Sequence, residues 1–110
     1  MRISLFVILG IALSACGGGV STGATCGTTG STLTYANFGR AFMSNYCTSC
    51  HSGRDSPRLD TQAAVKANAS AVDAASGAFG TVVNTLMPQG SSVATTERQK
   101  LSAWIACGAP

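Results

Sequence analysis

Cysteines stand at 47 and 50 of this 110-residue chain, and its one histidine, His51, follows at once in the run YCTSCHS. Three chemistries use cysteines at this spacing: a thiol–disulfide switch, half of a zinc site, and covalent attachment of a haem. Zinc suits the set poorly, because a structural site takes four ligands and no second C-x-x-C pair occurs. A thiol–disulfide switch has no use for a histidine at that offset. It also normally sits on a βαβ scaffold, whereas the strand-like content here is the run TVV, Thr81 to Val83. Haem attachment uses all three residues. Cys47 and Cys50 are therefore candidate thioether positions, and His51 is the candidate proximal iron ligand through Nε2.

The start of the chain bears on the compartment. Arg2 precedes an eleven-residue run, Ile3 to Leu13, in which Ser4 is the polar member, and LSAC follows, ending at Cys16. The run is too short for a membrane span and reads as a secretory signal over residues 1–15. Its end resembles the lipobox of bacterial lipoproteins, which implies acylation of Cys16 as the new N-terminus. An exported lipoprotein on the periplasmic or cell-surface side of a membrane is expected. Gly17 follows the lipid cysteine in place of the aspartate associated with inner-membrane retention, which favours the outer membrane. Residues 16–25, with GGGVSTGAT, read as a flexible tether whose mean reach is roughly 15–18 Å. Residues 26–110 form the domain.

Five cysteines are then accounted for without remainder. Cys16 takes lipid, Cys47 and Cys50 take haem, and Cys26 and Cys107 are left to pair in an oxidising compartment. With Arg2 removed, six Lys/Arg face four Asp/Glu and no basic run occurs, so nucleic acid is a poor candidate partner.

The elements that must position the motif are helical. Tyr35, Phe38, Phe42, Met43 and Tyr46 recur at helical spacing, so a helix is expected from about Thr34 into the C-x-x-C. Residues three apart on a helical turn share a face, which lets Cys47 and Cys50 reach one edge of a porphyrin. A short helix capped by Asp60 or Thr61 is expected to run through Asn68, with Leu59, Ala64 and Val65 inward. The alanine- and serine-rich piece to Gly77 either extends that helix or loops away. Residues 77–90 read as a loop with room for one helical turn. Thr96 to Gln99 reads as a capping box opening a last helix, with Glu97 in its first turn and Leu101, Trp104 and Ile105 as its buried stripe. Gly108 and Pro110 end it.

With these features in order, the chain resembles a small monohaem cytochrome c of the class I type. CTSCH matches the family's haem attachment motif. Gly39, eight residues before Cys47, matches the small residue where the C-terminal helix crosses the N-terminal one. Leu101 and Trp104 in LSAWI match the pattern that packs over that glycine. LMPQG looks like the loop that delivers an axial methionine, here Met87. Met43 departs from the family, standing where an aromatic is common, and the middle segment is short. The resemblance implies an all-α fold around one covalently bound haem c, with the N- and C-terminal helices crossing. It also implies that the carbonyl orienting His51 belongs to a downstream proline, for which Pro57 is the candidate. Elimination adds to the case for Met87: no second histidine exists, Met1 leaves with the signal, and Met43 lies on the helix seam.

Arg54 and Arg58 could meet haem propionates, but a solvated loop is the simpler expectation. Tyr35, Phe38, Phe42 and Tyr46 are expected in the core, and the Trp104 N–H on some acceptor, a propionate among them. The function implied is a membrane-tethered one-electron carrier between redox proteins, with no small-molecule substrate and no enzymatic activity. The competing functions are a thiol–disulfide oxidoreductase using Cys47 and Cys50, an open-site haem module sensing a small ligand, and a structural surface lipoprotein.

Overall fold

The computed structural model describes residues 19–110, so the signal and the acylation expected at Cys16 lie outside the described residues. What is described is mostly helical, with one small hairpin added to the expected all-α pattern. A π-helical turn over Tyr35–Gly39 opens into α1 (Arg40–Tyr46), and after Cys47 the chain continues as α2 (Thr48–His51). Thr34 caps this run. Its hydroxyl accepts from the Asn37 N–H at 3.1 Å, and the Asn37 carboxamide accepts from the Thr34 N–H at 2.7 Å.

Thr61 caps α3 (Gln62–Ala67), its hydroxyl accepting from the Ala64 N–H at 3.1 Å. The alanine-rich piece left open by the sequence becomes a separate helix, α4 (Ala69–Ser76). The break comes at Asn68, whose carboxamide donates to the Ala64 carbonyl at 2.8 Å. Where a loop was expected, β1 (Ala78–Phe79) pairs antiparallel with β2 (Val82–Val83), Ala78 opposite Val83 and Phe79 opposite Val82. Gly80 supplies the positive φ, +59°, that a two-residue hairpin turn requires at its first position.

The last helix, α5, spans Thr95–Ala106. Its start corrects the capping-box expectation. Ala94 occupies the N-cap, so Thr96 already sits inside the first turn, where its hydroxyl cannot cap, and no side chain does. Glu97 is in the first turn as expected and pairs with Lys100 at 3.0 Å. Leu101 and Trp104 are fully buried, while Ile105 is only partly so. Gly108, at φ +90°, ends the helix.

The core gathers Phe38, Phe42, Met43, Val65, Val72, Leu101 and Trp104. Trp104 lies against Gly39 so closely that a Cβ there would run into the indole. Tyr35 stacks on Trp104 at 6.4 Å, and Phe38 meets it edge-on at 6.0 Å. The Trp104 N–H donates to the Pro110 carbonyl at 3.2 Å, and the Tyr35 N–H donates to the same oxygen at 2.6 Å. Cys26 and Cys107 form a disulfide, their Cα atoms 4.7 Å apart.

Within the stretch expected as a tether, Val20 and Thr22 are hydrogen bonded to the domain. Thr22 is buried, its N–H donating to an Asp73 carboxylate oxygen at 2.9 Å and its hydroxyl to the other at 2.8 Å. Val20 pairs with the Asn84 carboxamide, whose nitrogen donates to the Val20 carbonyl at 2.6 Å. Composition alone marks these residues as coil because they bury little apolar surface, Val20 staying exposed. They are fixed by polar partners instead.

Candidate functional site

The C-x-x-C-H run is built by continuing one helix across a kink. The Cys47 N–H still donates to the Met43 carbonyl at 2.8 Å, and the His51 N–H donates to the Cys47 carbonyl at 2.9 Å. Cys47 and His51 are thereby one turn apart. Cys47 is buried and its thiol unpaired, and burial pushes its pKa up to about 11. Cys50 is half-buried, also unpaired, and accepts a hydrogen bond from Arg54 Nη2 at 3.0 Å.

The loop after His51 folds back on it. The Asp55 N–H donates to the Cys50 carbonyl at 2.8 Å, and the Leu59 N–H donates to the His51 carbonyl at 2.7 Å. This return brings Pro57 under the imidazole, where His51 Nδ1–H donates to the Pro57 carbonyl at 2.8 Å. The bond fixes the ring and its tautomer, leaving Nε2 as the nitrogen with a free lone pair. The carbonyl expected at Pro57 is the one found.

A cleft of about 300 Å³ opens beside the motif, and Cys47, His51, Leu59, Val72 and Met87 line it. The structure thus brings Met87 to the same cavity as Cys47 and His51 from a distant segment. Met43 does not line the cleft; it is 1% exposed and fills the core. Gly19 borders the cleft too, packed against α4 where a Cβ would strike the Ala74 carbonyl. Cys50 lies outside that lining, on the next residue round the turn from Ser49.

Met87 is held by its backbone. Its N–H donates to the Ala75 carbonyl at 2.9 Å, and its carbonyl accepts from Ser76 Oγ at 3.2 Å and Arg98 Nη1 at 2.8 Å. Sequence reasoning missed Arg98. It falls in the polar run TTERQK, which looks like a solvated helix start, yet it is 3% exposed. Sequence reasoning also missed Asp73, which accepts from Ser102 Oγ at 2.6 Å as well as from Thr22.

The exposed arginines behave as a solvated loop. Arg54 pairs with Asp55 at 3.0 Å and Arg58 with Asp60 at 2.7 Å, and the Arg58 hydrogen bond holds the Asp60 carboxyl below the usual range. Among the described residues no three His, Cys, Asp or Glu side chains gather as a metal-binding group. Also among them, no helix is long and apolar enough to cross a membrane. Comparisons with protein-family models, curated proteins and solved structures found no match for this chain.

Proposed function

We propose that this protein is a monohaem c-type cytochrome, lipid-anchored through Cys16, that carries one electron at a time between redox proteins. The observation that carries this reading is that Cys47, His51 and Met87 line one largely apolar cleft. The donor set fits a haem. Two unpaired thiols sit three residues apart, an imidazole follows with Nε2 free, and one thioether borders the same cavity. Cys47 and Cys50 would hold the ring through thioether bonds, with His51 and Met87 as axial ligands. A haem so bound supplies reversible one-electron chemistry, and a methionine ligand raises its reduction potential.

The chain's own residues do the rest. The Pro57 carbonyl orients His51 and increases its basicity as a ligand. Leu59 and Val72, both buried, line the cleft with apolar surface that limits water. Were His51 and Met87 both to hold the iron, a bound haem would have no position open to a substrate, which favours a carrier over an enzyme or an open-site sensor. The packing of Trp104 on Gly39 supports the class I arrangement, in which the N- and C-terminal helices cross there. A dithiol oxidoreductase fits less well. Such enzymes need a first thiol with a lowered pKa, and burial moves that of Cys47 the other way, to about 11.

Protein matured in a periplasm with a haem-attachment system is expected to keep the mass of a haem after denaturation. Cys47→Ala combined with Cys50→Ala is expected to lose it. Intact haem recovered from the wild type in acidified organic solvent would overturn the thioether assignment.

A further inference from the structure

We propose that Arg98 is a positioning residue that holds Met87 at the cleft it shares with His51; the inference rests on the haem reading above. Arg98 is 3% exposed, and burial lowers its pKa, though a guanidinium stays charged at neutral pH. Its partners are carbonyls rather than a carboxylate. Nη1 donates to Ser76 at 3.0 Å, to Asn84 at 2.8 Å and to Met87 at 2.8 Å. One nitrogen with two protons thus serves three acceptors, by sharing them.

Those carbonyls come from three places, and although Met87 and Asn84 are each also hydrogen bonded to the end of α4, Arg98 is the side chain that binds all three carbonyls and joins them to α5. Ser76 ends α4, and its carbonyl is one of the last-turn acceptors left without a helical partner, where a cation is also favoured by the helix dipole. Asn84 directly follows β2. Met87 lies in a stretch without regular structure before α5. Arg98 stands on α5, six residues before Trp104, which packs on Gly39 just upstream of the cysteine motif. The loop bearing Met87 is therefore tied to the same helix whose Trp104 packs on the run leading into the cysteine motif. A ligand on a loop is only as well placed as the groups that fix the loop.

The test is added imidazole, which competes with the methionine for the iron, applied to haem-loaded wild type, Arg98→Met and Arg98→Lys. In Arg98→Met imidazole is expected to bind roughly tenfold tighter or more, a tenfold change being about 1.4 kcal/mol. Hydrogen exchange at the Met87 amide is expected to speed up in step. Arg98→Lys keeps the charge but not the fork, and is expected to fall between the two. Haem content should not change, since the thioether cysteines do not touch Arg98. As a control, Cys26→Ser is expected to lower the unfolding midpoint without altering imidazole affinity, which separates positioning from general destabilisation.

Should Arg98→Met fail to fold, Arg98→Lys carries the test in the same direction. Imidazole affinity and Met87 exchange that both stay at wild-type values would overturn the proposal. If the wild type holds no covalent haem, the cytochrome reading fails on that alone. Amide exchange in Arg98→Lys then decides the hold on the loop, faster exchange supporting it and unchanged exchange overturning it.

Discussion

Two residues of the candidate site, His51 and Met87, are fixed by neighbours that limit what they can do. His51 has one nitrogen committed to Pro57 and one free, and Met87 has its backbone tied at both the N–H and the carbonyl. Met43 is the other methionine of the described residues, and its place in the core makes it a poor substitute ligand. Met87→Ala is therefore expected to abolish the long-wavelength charge-transfer band of a methionine-ligated ferric haem and to let carbon monoxide bind the reduced protein. A band that survives the substitution would transfer the ligand to Met43. The motif could be read in advance because its chemistry is written in residue type and short spacing, whereas Met87 and Pro57 were expected from the family resemblance. Arg98 could be read in neither way. Its role is set by carbonyls of residues 76, 84 and 87, and nothing in a local polar run reports that three backbone segments converge on it.

At the scale of elements, the seam between the π-helical turn and α5 depends on the absence of a side chain at Gly39. A methyl group there meets the Trp104 indole, which is itself fully buried between Tyr35 and Phe38 and has nowhere to move. Gly39→Ala is expected to destabilise by about 1–3 kcal/mol, the range for overpacking a filled core. A urea midpoint equal to that of the wild type would show that the indole can shift. The first and last helical runs were legible because apolar residues recur at helical spacing over residues 35–46 and in α5. The hairpin was not, since two residues per strand are too few for alternation to show. The misplaced cap of α5 has a similar cause. The helix starts two positions earlier than the capping box at Thr96 implied, and that shift turns a capping hydroxyl into an ordinary first-turn side chain.

Over the whole molecule, polar and covalent ties fasten the N-terminal segments to the helices. Thr22 and Val20 are hydrogen bonded to Asp73 and Asn84, and Cys26 is bonded to Cys107 at the end of α5. The disulfide spans 81 positions of sequence, and the chain-entropy model assigns such a closure roughly 4–5 kcal/mol, less whatever order the unfolded state retains. Cys26→Ser is expected to lower the thermal midpoint while leaving the visible spectrum unchanged. Two alkylatable thiols at 26 and 107 in periplasmically matured protein would rule the bond out there. A haem burying on the order of 400 Å² of apolar surface would add roughly 10 kcal/mol, comparable to the net stability of a typical domain, so the polypeptide made without it is expected to be loosely folded. A covalently bound haem is a matter of composition as much as of fold, and a pyridine haemochrome spectrum of the mature protein tests for it most directly. One haem per chain is expected, with the absorption of a porphyrin whose two vinyl groups have been saturated by thioether bonds to Cys47 and Cys50. A colourless protein, or the spectrum of a haem with both vinyl groups intact, would contradict it.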